Sequence, residues 1–199
     1  MKSEKTFSPM NLALLILIFL IAGLGFFSLI FNFSSVTNLA NGYTENYSGY
    51  GVIFRPASYE KYGFAYVEYN GTLRILYERL HTTALLYLIV TVLMVAYLSY
   101  SIYSSKSDIG AFLKSSLPKL ICAVSFVLVV FCFFFGWSFS EAAPNEVWYN
   151  VSSDIITKEE LHIDLVKAST QFYIPVIINA VLVGAYLILV SIKTKRESK

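Results

Sequence analysis

Apolar positions along this chain gather into four uninterrupted runs, 11–31, 82–103, 117–137 and 172–192, each about 21 residues long. A helix of that length rises ~30 Å, the thickness of a bilayer's hydrocarbon core. One formal charge falls inside the runs, Lys119, at an end from which its ammonium can snorkel to the interface. The pattern predicts an α-helical integral membrane protein with four transmembrane helices. The first run extends well beyond the apolar core of a cleaved signal peptide and reads as a retained anchor.

The segments between the runs carry a different periodicity. Residues Tyr62–Arg79 (YGFAYVEYNGTLRILYER) place two aromatic and β-branched stretches around Asn70-Gly71, a pair that accepts the positive φ values of a tight hairpin turn. A two-residue turn there would pair Glu68 with Leu73, Tyr66 with Ile75 and Phe64 with Tyr77, giving one largely apolar face. Tyr50–Arg55 reads as a further strand ended by Pro56, so the expectation is a small antiparallel β meander in the first extracytoplasmic loop. In 138–171 a short strand is expected at Glu146–Val151. A capping box, Thr157 with Glu160, followed by Leu161, Leu165, Ala168 and Phe172 at helical spacing, predicts a helix from about 158 into the fourth span. Pro175 is expected to kink that span.

Charge orients the chain. Segments 1–10, 104–119 and 193–199 hold nine Lys/Arg and three acids, whereas 32–81 and 138–171 hold six Lys/Arg and ten acids. The positive-inside rule then makes 1–10 a cytoplasmic N-terminus, 104–116 a cytoplasmic loop and 193–199 a cytoplasmic tail. Segments 32–81 and 138–171 become extracytoplasmic loops. All four N-x-S/T sequons, at Asn32, Asn46, Asn70 and Asn150, fall in those two loops. Asn32 lies too near the membrane to be a good acceptor, which leaves Asn46, Asn70 and Asn150 as candidate glycosylation sites in a cell membrane or secretory-pathway membrane.

Composition, 56% hydrophobic and 14% charged, fits the same class. The two cysteines, Cys122 and Cys132, share the third span, ~80° apart around a helix and ~15 Å apart along it, so they cannot bond to each other. Cys122, one turn from the basic end, is a candidate for S-palmitoylation. In the fourth span Ala180 and Gly184 form a small-xxx-small pair suited to close helix packing, and Asn179 beside them is the one strong amide at membrane depth.

Catalytic signatures are sparse. No ionisable residue lies near the middle of a span, which argues against a stand-alone carrier. Both histidines follow a glutamate by three residues, as Glu78-Arg-Leu-His81 and Glu159-Glu-Leu-His162. On helices each pair would set a carboxylate and an imidazole on one face, the arrangement of di-metal bundles, and so His81, His162, Glu78 and Glu159 are candidate metal ligands. The two other spans supply only Glu141 at that level, so two interfacial histidines with nearby acids is the simpler reading. No cofactor is implied, and there is no surface suited to nucleic acid.

Four spans with inner termini, a β-rich first outer loop and a shorter second one are similar in layout to claudin-type proteins. Residues 32–81 lack the tryptophans and cysteine pair of that family's first loop, so no function follows from the layout. The expected role is a non-enzymatic accessory subunit, organiser or adhesion-type partner acting through the β element. Its partners would be the lipid bilayer and other membrane protein subunits or a second copy. The alternatives are a subunit of a transport or channel assembly, and a metal-dependent membrane enzyme subunit.

Overall fold

The structure, a computed structural model, describes residues 8–38, 44–54, 60–62, 64–67, 71–104, 109–142, 148–152, 155–161, 166–169 and 171–197. Helix α1 (Pro9–Ser28) leads into strands β1 (Asn32–Asn38) and β2 (Thr44–Ser48), the short helix α2 (Gly49–Phe54), and strands β3 (Glu60–Tyr62) and β4 (Phe64–Val67). Then come α3 (Gly71–Ser104), the short α4 (Ile109–Lys114) and α5 (Leu117–Ala142). Strands β5 (Trp148–Ser152), β6 (Ile155–Leu161) and β7 (Val166–Ser169) precede α6 (Tyr173–Glu197). Helices α1, α3, α5 and α6 are each long and apolar enough to cross a membrane.

These four helices form an antiparallel bundle with two buried clusters. One cluster joins Leu14 and Ile18 from the start of α1, Leu98 from the end of α3, Ile121 from the start of α5 and Tyr186 from the second half of α6. The other joins Leu29 just past α1, Tyr77 and Leu80 near the start of α3, Cys132 and Phe139 from the later part of α5, and Phe172 just before α6. The start of α1 and the end of α6 therefore lie at one end and the strands at the other. Helices α1 and α5 pack on each other and each on both α3 and α6, which places α3 and α6 on opposite flanks. Outward apolar side chains such as Ile16, Leu93, Phe131 and Val181 are exposed, the surface that helices apolar enough to cross a membrane present.

The hairpin expected around Asn70-Gly71 does not form. Gly71 opens α3, and residues 72–79, expected as its second strand, are helical. The buried positions on α3 explain this: Tyr77, Leu80, Ala84, Tyr87, Thr91, Met94 and Leu98 recur at alternating spacings of three and four. That stripe runs unbroken from the expected strand into the span, so packing against the bundle extends the helix over a segment whose local preference was β. Tyr66 pairs instead with Tyr149 of β5, and the short β3–β4 pair sits just upstream. Asn70 itself lies outside the described residues.

Tyr50–Arg55 also departs from expectation, because Gly49–Phe54 is a helix. Ser48 caps it, its Oγ accepting the Gly51 backbone N–H at 3.0 Å. The first amides of α2 find partners past the end of α1: Gly49 N donates to Phe31 O at 3.2 Å and Tyr50 N to Leu29 O at 2.9 Å. Orphan donors of one helix thus meet carbonyls beyond the end of another. The close fit requires glycine at 49, since a Cβ there would stand 2.7 Å from Leu29 Cα and 2.8 Å from the Phe33 ring.

In the second loop, strand β6 and then β7 occupy the segment expected to be helical from about 158. Each pairs along one edge, β6 with β5 and β7 with β1. The capping-box residues Thr157 and Glu160 both fall within β6. Helix α6 begins at Tyr173, so Pro175 sits in its first turn, where its missing N–H would have had no helical partner and no kink is needed. The β structure is consequently not a meander within the first loop. Strand orders β2-β1-β7 and β3-β4-β5-β6 each draw on both loops.

Strand β1 is the junction between sheet and bundle. Its pairing with β2 slips between Asn32↔Ser48 and Ser34↔Tyr47, leaving Phe33 as an extra residue in a bulge. Two consecutive side chains, Phe33 and Ser34, are therefore both buried. Phe33 meets Phe172 edge-on at 4.1 Å between ring centroids. Tyr47 lies edge-on to Phe139 at 5.3 Å and to Tyr77 at 6.3 Å. Ser34 Oγ lies 2.9 Å from Ser140 Oγ of α5.

Candidate functional site

The most chemically distinct region is a polar seam buried among the four long helices. Asn179 of α6 is fully buried and donates Nδ2 to Ser125 Oγ of α5 at 2.9 Å. Ser125 Oγ donates in turn to the Ile21 carbonyl of α1 at 3.0 Å. A hydroxyl has one proton, so Ser125 can only accept from Asn179, and this fixes the amide with Nδ2 toward Ser125. Asn179 Oδ1 is left buried without a hydrogen-bond partner.

Two helical turns along α1 the seam continues. Ser28 Oγ donates to the Leu24 carbonyl at 2.8 Å and lies 3.5 Å from Tyr87 Oη of α3. With its proton on Leu24, Ser28 receives the Tyr87 hydroxyl. Thr91, a turn further along α3, is buried with its Oγ1 also unpartnered. It presses against Gly25 of α1, where a Cβ would fall on the Thr91 hydroxyl. Each of these groups is a neutral hydroxyl or amide. The seam can position helices against one another, but none of its members is an ionised acid, base or metal ligand.

Of the residues singled out from sequence, Asn179 lies in this seam. Ala180 and Gly184 face away from it: Ala180 is exposed, and a Cβ on Gly184 would meet nothing within 4 Å. Cys122 is buried in the cluster with Ile121 and Tyr186. Ser125, Tyr87, Thr91 and Ser28 were missed. Their only sequence signal is a hydroxyl inside an apolar run, which many lipid-facing positions share.

The metal candidates are not assembled. His81 Nε2 lies 3.2 Å from the Ile53 carbonyl, and because a carbonyl only accepts, that nitrogen carries the proton and donates. Its function there is to satisfy a carbonyl in the last turn of α2. Glu78 is exposed on α3. Glu159 lies in strand β6, paired with Asn150 of β5, so the helical premise of the second pair does not hold. His162 lies outside the described residues. Among the described residues no group of three or more metal donors occurs.

Among the sequons, Asn46 stands exposed on β2. Its Oδ1 accepts from Ser35 Oγ at 2.8 Å and from Asn32 Nδ2 at 3.4 Å. Thr37 and Thr44 bond at 2.9 Å further along the same face. Asn150 lies in β5.

The class defined by this architecture is a protein with four helices able to span a membrane and a small antiparallel β cap at one end. No family model, no curated protein and no solved structure matches the chain.

Proposed function

We propose that this chain is a non-enzymatic multi-pass membrane protein serving as an accessory, organising or adhesion-type subunit through its β cap. The cap faces the extracytoplasmic side and both termini lie in the cytoplasm, as the distribution of Lys and Arg favours. The observation that carries the reading is the bulged strand β1, whose buried Phe33 and Ser34 fasten the sheet to α5 and to the chain entering α6. A platform held this way loses little freedom on binding, which is what a presenting surface gains from rigidity. Its outward side offers the hydrogen-bonded row of Asn32, Ser35, Asn46, Thr37 and Thr44.

The test is native mass spectrometry after extraction in mild detergent, comparing the wild type with a Thr37→Arg/Asn46→Arg variant. The expected result is a partner that co-purifies with the wild type and is lost from the equally well-folded variant. A wild-type chain that is a lone monomer would retire the reading.

A second reading, a subunit of a transport or channel assembly joined through α6, is favoured by the outward face of that helix. Ile177, Val181 and Ile188 are exposed there, next to the open space beside Gly184. Gly184→Ile should then lower the mass of the assembly, whereas assembly through the cap would be unaffected.

A further inference from the structure

The short helix α2 touches two of the long helices, and its depth follows from those contacts. Gly25 meets Thr91 and Ser28 meets Tyr87, so α1 and α3 run antiparallel in step. The foot of α2 is tied to the end of α1, where Gly49 N reaches Phe31 O and Tyr50 N reaches Leu29 O. Its last turn is tied to α3, where His81 Nε2 donates to the Ile53 carbonyl at 3.2 Å. From Tyr87 out to His81 the rise along α3 is ~9 Å, which is also the length of the six-residue α2. Helix α2 therefore stands beside α3. Its foot lies inside the limit that the apolar runs set at Phe31 and Thr82, and its last turn lies just beyond that limit.

Two side chains of α2 fit that depth. At the end of α1 the Ile30 amide bonds to Phe27 O, which leaves the Phe26 carbonyl without its helical partner. Tyr50 Oη donates to that carbonyl at 3.1 Å, the internal satisfaction that a backbone group in hydrocarbon requires. Val52 and Ile53 are buried against the bundle, whereas Phe54 is 74% exposed, the most exposed large apolar side chain among the described residues. Side chains of a helix lean toward its N-terminus. The N-terminus of α2 is its deeper end, so the Phe54 ring leans back toward the level of Thr82. Ile30, between the two residues that hold the foot, is exposed as well.

We propose that α2 is an interfacial anchor whose Phe54 ring inserts into the lipid of the leaflet on the sheet-bearing side, at the boundary between headgroups and acyl chains. Lipid is the occupant because the foot of the same helix already lies within the hydrocarbon limit. A ring at that boundary leaves water without crossing the bilayer, the position that aromatic side chains favour in membranes. Strand β2 ends at Ser48, directly before α2, so the anchor also fixes the height of the β2-β1-β7 sheet above the lipid. The cap is then seated on the membrane surface. The proposal rests on the membrane-spanning reading above.

Fluorescence quenching of a Phe54→Trp variant in liposomes tests it, with Thr37→Trp on β1 as the reference in the cap. The wild-type emission of Trp137 and Trp148 is subtracted from both. Phosphatidylcholine brominated near the headgroup end of its acyl chains should quench the added indole at position 54 several-fold more than the one at position 37. Iodide on both sides of the vesicles should show the reverse order. An indole at position 54 that iodide quenches as strongly as the reference would place Phe54 in water and overturn the proposal. One shielded from both quenchers would mean that protein covers the ring, and would overturn it too. Either result leaves the membrane reading intact, whereas a wild-type chain released from membranes by alkaline carbonate would overturn both.

Discussion

Asn179 on α6 and Ser125 on α5 are joined by a 2.9 Å hydrogen bond whose direction is set by a third helix. Because Ser125 gives its proton to Ile21 of α1, one hydroxyl links α6, α5 and α1 in series. In an apolar surrounding such a link matters less for its energy than for specifying which helix faces meet, since slipping any of the three by one residue breaks it.

The energy of the link is measurable by a double-mutant cycle. Asn179→Ala and Ser125→Ala should each destabilise the bundle, with a coupling of about 0.6–1.7 kcal/mol in reversible detergent unfolding. Strictly additive effects would mean the two side chains are neighbours without an interaction.

Gly25 and Thr91 predict a steric effect. A methyl at Gly25 collides with the Thr91 side chain, so Gly25→Ala should force α1 and α3 apart at a cost of about 1–3 kcal/mol. Adding Thr91→Ala removes the nearest atom and should recover part of the loss, giving a non-additive pair. Thermal unfolding of the two single variants and the double variant decides it, and no recovery in the double would count against this contact.

The junction between cap and bundle yields graded expectations. Phe33→Ala empties a fully buried aromatic site and should cost about 3–5 kcal/mol. Ser48→Ala removes only the α2 cap and should cost about 1 kcal/mol. Limited proteolysis of the 32–54 region should therefore accelerate far more in Phe33→Ala. Equal protection in both variants would show that the sheet is not anchored through Phe33.

Gly184 gives the opposite sign. With open space beside it, Gly184→Ala meets nothing inside the bundle and replaces the poorest ordinary helix former with the best. Stability of the isolated chain should stay level or rise by up to about 1 kcal/mol. A clear loss of stability in the purified protein would mean that this face is occupied by another helix.

The four long helices were legible in the sequence because a run of some 21 apolar residues demands burial along its whole length and, in a membrane, internal satisfaction of every backbone group, whatever its neighbours. The even number of such runs likewise implied that the first begins and the last finishes at one end of a bundle, and the two clusters place the start of α1 and the end of α6 together. The stretch 71–81 was not legible, because its local β preference competed with a packing stripe that exists only once Tyr77 and Leu80 have the bundle to face. Residues 49–54 became helical because the Phe31 and Leu29 carbonyls past the end of α1 took up the first amides of α2, partners that the local sequence does not reveal. Residues 155–161 and 166–169 became strands because β5 and β1 offered edges to pair with. Asn179 stood out by composition, but its partner did not: Ser125 lies 54 positions away in sequence, and only the packing of α5 between α1 and α6 brings its hydroxyl into line. What apolar area and length impose on a single helix was thus contained in the chain itself. What pairing, capping and close approach impose on the segments between helices was decided in the tertiary structure, because those interactions join residues far apart in sequence.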